Sequence, residues 1–406
     1  MKTTNKFRNL DLLIAGQLVS QIGDRFYALA LAFWVLQTTG SAAKMGLVLF
    51  FSMAPSVLTG FFAGAFIDRF DRRTILVVTD IFRGITVSAV VIIYYLGLLN
   101  LPLIILAQVL LSIASAFFNP SVQATIPQIV DAESITKANA RSQLASGVAM
   151  TVGPVLGGLA VSFLGYFFVF VFNAASFLIS AVFESRLEIT AALPGVRKAK
   201  TLSDDIREGY RYIFGKRKIL IIVFIVAIIH FFAGSMQVLM PVLANMLPGN
   251  GARNLGYFET SFGIGAVASA LILNIFSINR KEEKFMFGGV MALGAFYIGF
   301  SALSAFNLTY GIPFMAIFLL SSSAVIIIST AYQAIMQKSV ENSLAGRVFG
   351  IAGSVGNLSL PAASLVFGFL LEGYRIPGLA GICGAALVLA PILLYGLYGK
   401  KLKNAL

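Results

Sequence analysis

The stretch Gly64-Ala65-Phe66-Ile67-Asp68-Arg69-Phe70-Asp71-Arg72-Arg73 separates two long apolar runs, one from about residue 43 to 67 and one from about 74 to 97. Two acids and three arginines are too many charges for hydrocarbon, and ten residues are too few for a domain. The stretch therefore reads as a tight turn between two membrane-crossing helices. Gly64 admits a close helix neighbour. Asp68 is placed to meet an unpaired helix N-terminus or an arginine. Arg69, Arg72 and Arg73 mark the point where the chain meets water, as a basic loop does in any polytopic protein.

Working outward, apolar runs of membrane-spanning length recur along all 406 residues. Mean hydropathy is +0.89. Charged residues make up 12% of the chain, about half the share in soluble proteins. The net charge of +13 does not point to nucleic acid. The basic residues fall in alternate loops, which is the signature of membrane orientation. One cysteine, Cys383, excludes an intramolecular disulfide and a cysteine-based metal site, and one histidine, His230, excludes a histidine cluster. No metal or cofactor is expected. The first apolar run has no small-residue cleavage pattern and reads as a retained helix.

Twelve spans are expected, at about 11–37, 43–66, 74–97, 101–125, 138–163, 166–186, 218–244, 254–277, 286–306, 309–336, 345–371 and 376–399. The loops rich in Lys and Arg lie with both termini, so both termini are expected in the cytoplasm. Residues 188–217 form the one long polar stretch. It reads as a surface linker with a short amphipathic helix begun near Ser203, its arginines and lysines facing lipid head groups. It divides the chain into an N-terminal six-helix bundle (1–187) and a C-terminal one (218–406). The bundles repeat. At an offset of 210 residues, Lys44-Met45-Gly46 falls on Asn254-Leu255-Gly256, and the first basic turn falls on the cluster Arg280, Lys281 and Lys284. Arg141 opens span five as Arg347 opens span eleven. The fold class is thus an all-α polytopic membrane protein of two pseudo-symmetric six-helix bundles, expected to be a monomer.

Three stretches carry a family resemblance. Gly64 to Arg73 resembles the loop after the second helix of the major facilitator superfamily, Gly-x-x-x-Asp-Arg/Lys-x-Gly-Arg-Arg/Lys, with Asp71 where the family usually has Gly. Gly147-x5-Gly153-Pro154-x-x-Gly157-Gly158 resembles the superfamily's antiporter signature position for position. Phe118-Asn119-Pro120 through Ala140, and Phe172 to Phe177, resemble the macrolide-efflux and siderophore-export branch. The resemblance implies a loop that helps lock the cytoplasmic face, a glycine-rich helix that rocks against a neighbour, and export by alternating access between the halves. The family often has an arginine in span four tied to proton coupling. Here the candidate positions are Gln108 and Leu111, so that coupling scheme does not carry over whole.

Membrane-buried ionisable groups are the remaining site candidates, because each costs several kcal/mol unless paired or hydrated. Asp24 lies mid-way along span one. Gln17, Ser20 and Tyr27 share its face and form a polar stripe suited to a cavity. Glu259 in span eight and His230 in span seven are the other proton-coupling candidates. Further cavity candidates are Asn119 and Gln123 in span four, Gln237 and Met240 in span seven, and Tyr332 and Gln333 in span ten. Asp80 and Arg83, three apart in span three, read as an intrahelical ion pair. The expected function is secondary active export of amphipathic small molecules, with protons or another cation as the coupling ion. The alternative in the same class is siderophore or lysophospholipid export. A membrane-embedded lipid enzyme lacks its His/Asp constellation, and no Gly-x4-Gly-Lys-Ser/Thr phosphate loop marks an ATP-driven motor. The expected location is the bacterial cytoplasmic membrane.

Overall fold

The computed structural model describes residues 2–67, 70–189, 211–275, 281–306, 311–340 and 345–403. The described residues contain no strand. The helices are α1 (Lys2–Thr39), α2 (Ala42–Ile67), α3 (Arg72–Tyr95) and α4 (Leu101–Ile129), followed by a helical segment Ile135–Ser185 that is broken at Gly165. Gly165 has φ 82° and ψ 172°, a conformation that only glycine adopts without strain. Its two arms are α5 (135–164) and α6 (166–185). The chain continues with α7 (Arg217–Met246), α8 (Gly251–Ile275), α9 (Glu282–Ala305), α10 (Ile312–Ser339), α11 (Ala345–Gly373) and α12 (Ile376–Lys403).

Every expected span falls on one of these helices. Helices run past the span limits, α1 back to Lys2 and α12 on to Lys403, because apolar length bounds the hydrocarbon crossing and not the hydrogen-bonded helix. Ten stretches among the described residues are long and apolar enough to cross a bilayer. α1 is not among them, since Gln17, Ser20, Gln21, Asp24 and Arg25 interrupt its apolar character. Asp68, Arg69 and the expected helix start at Ser203 lie outside the described residues.

The chain divides into two compact units, Met1–Arg197 and Lys198–Leu406. In the first, α1 packs on the α5–α6 pair, α2 on α4, and α3 on α4 and α6. In the second, α7 packs on α11, α8 on α10, and α9 on α10 and α12. The internal pairing is the same in both, as the sequence repeat requires.

Packing inverts the pattern of a water-soluble bundle. On α3, Val78, Ile85 and Ile92, seven apart, are 56%, 60% and 59% exposed. They form the stripe that lipid covers. The opposite face buries Asp80, Arg83 and Thr86. Burial therefore places polar groups inside the first unit, where side chains and not water must satisfy them.

Candidate functional site: a buried charge cluster in the first unit

The most concentrated chemistry in the first unit lies where α1, α3, α4 and α6 meet. Arg83 Nη2 is 2.6 Å from Asp80 Oδ1, with side-chain exposures of 5% and 0%. The Arg83 guanidinium carbon lies 4.0 Å from the ring centre of Phe118 on α4 and 4.8 Å from that of Phe177 on α6. The rings stabilise the cation through their faces, by about 0.5–2 kcal/mol each at desolvated sites. The intrahelical pair expected from the sequence is therefore present, clamped between two aromatic rings.

α6 adds a polar stripe of Asn173, Ser176, Ser180 and Glu184, each at most 1% exposed. The spacings of three, four and four put them on one helical face. Ser180 Oγ donates to Glu184 Oε1 at 3.4 Å, and Ser176 Oγ donates to the Asn173 carbonyl at 2.8 Å. Asp80 Oδ1 meets only the Arg83 guanidinium, Asp80 Oδ2 and Glu184 Oε2 have no hydrogen-bond donor, and Arg83 Nε and Asn173 Nδ2 have no acceptor. α1 closes over this stripe at Gly23, where an added Cβ would stand 2.1 Å from Ser176 Oγ. Only a glycine allows that approach.

Asp24, the residue after Gly23, is half-buried and feels the charges of Arg83 and Arg25. The rest of its expected stripe is closed inside the unit and does not border open space. Gln17 is 5% exposed, donates to Ser146 Oγ at 3.0 Å and accepts from Ser142 Oγ at 2.9 Å. Ser20 donates to the Gln17 carbonyl. Tyr27 is buried, with its hydroxyl accepting from Gln108 Nε2 at 3.3 Å and its ring edge-on to Phe170. Gln108, one of the two candidate positions for the arginine that the superfamily often carries, thus serves a tyrosine of α1.

The signature helix α5 meets α1 beside Asp24. A Cβ on Gly153 would lie 2.6 Å from Arg25 Cβ, and one on Gly157 would lie 3.1 Å from Phe26 Cα. Gly147 faces open space. Pro154 is half-buried and Gly158 is buried within the same helix. At the helix ends, the basic turn ties three helices together. Asp71 caps α3, accepting from Thr74 N at 2.9 Å and from Thr74 Oγ1 at 2.8 Å. Arg72 Nη1 donates to the Ala124 carbonyl of α4 at 2.5 Å, and Arg73 donates to the Ser185 carbonyl at the end of α6. At Ser185 the Arg73 cation meets an unsatisfied C-terminal carbonyl and opposes the helix dipole favourably. Arg141 pairs with Asp11 at 2.6 Å, both well exposed. Of Gly64 and Arg347 the backbone alone is described, in α2 and in the first turn of α11.

Asn119 and Gln123 are exposed on α4. In the second unit, His230 is half-buried, and its Nδ1 lies 2.8 Å from the Val226 carbonyl one turn earlier. Gln237 Oε1 accepts from Ser364 Oγ of α11 at 3.1 Å, and Met240 is buried. Glu259 is half-buried on α8. Tyr332 is half-buried, and the exposed Gln333 reaches Ser329 Oγ at 3.5 Å. Glu184 is the buried acid of this cluster that sequence reading passed over. Its signal was the Asn173, Ser176, Ser180, Glu184 face, visible once the span-six face is plotted.

Long apolar helices paired alike in two units, with ionisable groups held inside one of them, define a polytopic carrier of the major facilitator type. The chain belongs to that superfamily's transmembrane secretion effector family, whose family model matches residues 4–405. It is 24% identical to macrolide efflux protein A of Streptococcus pyogenes, over 91% of this chain and 93% of that protein. It is 25% identical to the multidrug efflux pump Tap of Mycolicibacterium fortuitum, over 97% and 95% respectively. Its fold matches the nucleoside transporter NupG with a TM-score of 0.77 at 12% identity, over 96% of this chain and 99% of that one. It also matches a D-xylose–proton symporter with a TM-score of 0.75 at 14% identity, over 96% and 97%. The protein is a multi-pass membrane transporter of small molecules and not an enzyme.

Proposed function

We propose that the protein exports amphipathic small molecules of the macrolide and multidrug kind by proton antiport. The observation that carries this reading is the contact between α5 and α1. The helix with the antiporter-like Gly153-Pro154-x-x-Gly157 stretch lies within backbone reach of Arg25 and Phe26, next to the membrane acid Asp24. A tight glycine face lets α5 shift along α1 with few side-chain clashes. Such a shift alters the surroundings of Asp24 and hence its hold on a proton. The efflux roles in the names of the two relatives support the same reading.

Asp24 is the leading coupling residue, with Glu259 and His230 as candidates in the second unit. The halves 1–187 and 218–406 act as the two bodies of alternating access, joined by 188–217. The basic loops favour a bacterial cytoplasmic membrane location with both termini inside, and a monomer suffices for the cycle.

The test is transport in proteoliposomes. An imposed proton gradient should drive accumulation of a macrolide or a cationic dye, and unlabelled substrate on the far side should accelerate labelled counterflow. Loss of both in Asp24→Asn, with counterflow alone kept in Glu259→Gln, would assign the acids. Transport of siderophores or lysolipids in place of macrolides and dyes would reassign the substrate. Transport without trans-stimulation would refute a carrier.

A further inference from the structure

We propose that Asp80, Arg83 and Glu184 form a proton-holding site inside the first unit, in which the two carboxyls share one proton and the guanidinium balances the remaining charge. The site adjoins Asp24, which feels the charge of Arg83, and adds Glu184 to the Asp80–Arg83 pair that the sequence read as an intrahelical ion pair. Its use in transport rests on the antiport reading, whereas its occupancy by a proton does not.

Two acids and one arginine occupy a space that neither water nor lipid reaches, with Asp80 and Glu184 0% exposed and Arg83 4%. One guanidinium neutralises one carboxylate, and a second bare carboxylate buried in the packed interior of the unit costs several kcal/mol. Among the described residues, the neighbouring elements do not supply the missing cation. α4 has no ionisable residue along Leu101–Ile129. α1 brings Asp24, a further acid, while its neighbour Arg25 is exposed. On α3, Arg72 and Arg73 are engaged with the Ala124 and Ser185 carbonyls. On α6, Arg186 is exposed beyond the helix end.

Four carboxyl oxygens face one serine hydroxyl and one guanidinium. Ser180 is within reach of both acids but has a single proton to give, and it gives it to Glu184. Asp80 Oδ1 is taken by Arg83, and Glu184 Oε2 and Asp80 Oδ2 remain without a hydrogen-bond donor. A proton on either carboxyl removes the excess charge and creates the donor that is lacking. Two carboxyls so placed titrate as a pair, so the proton belongs to the pair and not to one residue.

The experiment is infrared spectroscopy of the full-length protein in lipid at neutral pH, reading the carbonyl stretch of a protonated carboxylic acid and its shift in heavy water. To remove other sources, the background carries Asp24→Asn and Glu259→Gln. The band should be present in that background and should vanish or shift on adding Asp80→Asn or Glu184→Gln. Absence of the band, or a band unchanged by both substitutions, overturns the proposal. Both replacements are near-isosteric. If either nevertheless fails to fold, presence or absence of the band in the background protein decides the matter alone. No drug is added, so a failure of antiport would leave this result intact.

Discussion

Removing Arg83 should destabilise the first unit far more than the second. In Arg83→Met the thioether keeps the apolar contacts with Phe118 and Phe177 but withdraws the one buried cation from Asp80 and Glu184. Breaking a buried pair by deleting one partner costs about 3–5 kcal/mol. Loss of two ring–cation contacts adds to this, and relief of the arginine's own desolvation subtracts, so about 3 kcal/mol is the expected net loss. Two native probes separate the units. Trp34 is the only tryptophan and lies on α1, stacked edge-on to Tyr94, whereas Cys383 is the only cysteine and is buried in α12. In a denaturant titration in detergent, Trp34 emission should report an early transition in Arg83→Met. Labelling of Cys383 by a thiol dye should shift less. Adding Asp80→Asn removes one orphaned charge and should recover about 1–3 kcal/mol, the coupling expected of contacting groups. A Trp34 transition within about 0.5 kcal/mol of wild type, or no recovery in the double variant, would refute the argument that this cluster is electrostatically tight.

Other expectations follow from the same geometry. Gly23→Ala drives a methyl group into Ser176 and should cost about 1–3 kcal/mol, while Gly147→Ala meets nothing within 4 Å and should be neutral or stabilising by up to about 1 kcal/mol in the same titration. Asp71→Ala should cost about 0.5–2 kcal/mol through the lost cap of α3, and Asp71→Gly, the residue the superfamily prefers, only a few tenths. Gln108→Leu leaves the buried Tyr27 hydroxyl without its donor and should cost about 1–3 kcal/mol by Trp34 emission. Leu111→Ala on the same helix separates this loss from simple cavity formation, since it leaves the Tyr27 hydrogen bond intact.

Helix positions were legible because a bilayer imposes a length and a composition on each crossing, and two repeated halves doubled the signal. The Asp80–Arg83 pair was legible because i,i+3 spacing fixes proximity within one helix. Glu184 was not, because its meaning depends on α6 packing against α3, and no local pattern states that contact. Asp71 shows the same limit. It stands where the superfamily has glycine and looked like a departure in the turn, yet it caps α3 by bonding Thr74. The polar face of α1 was legible, but its spacing alone did not state what it contacts. Gln17, Ser20 and Tyr27 are spent on helix contacts inside the unit, because in an apolar solvent polar residues are the means by which helices hold one another. A stripe that lines a cavity and a stripe that binds a helix have the same spacing.

The account turns on whether substrate binding expels a proton. The direct measurement is proton release from purified protein in weakly buffered detergent as macrolides, cationic dyes, siderophores and lysolipids are added, with Asp24→Asn and Glu259→Gln alongside wild type. Proton-coupled export predicts release from wild type with one of these classes and its loss in one of the two variants. Substrate binding with no proton released from wild type would contradict it.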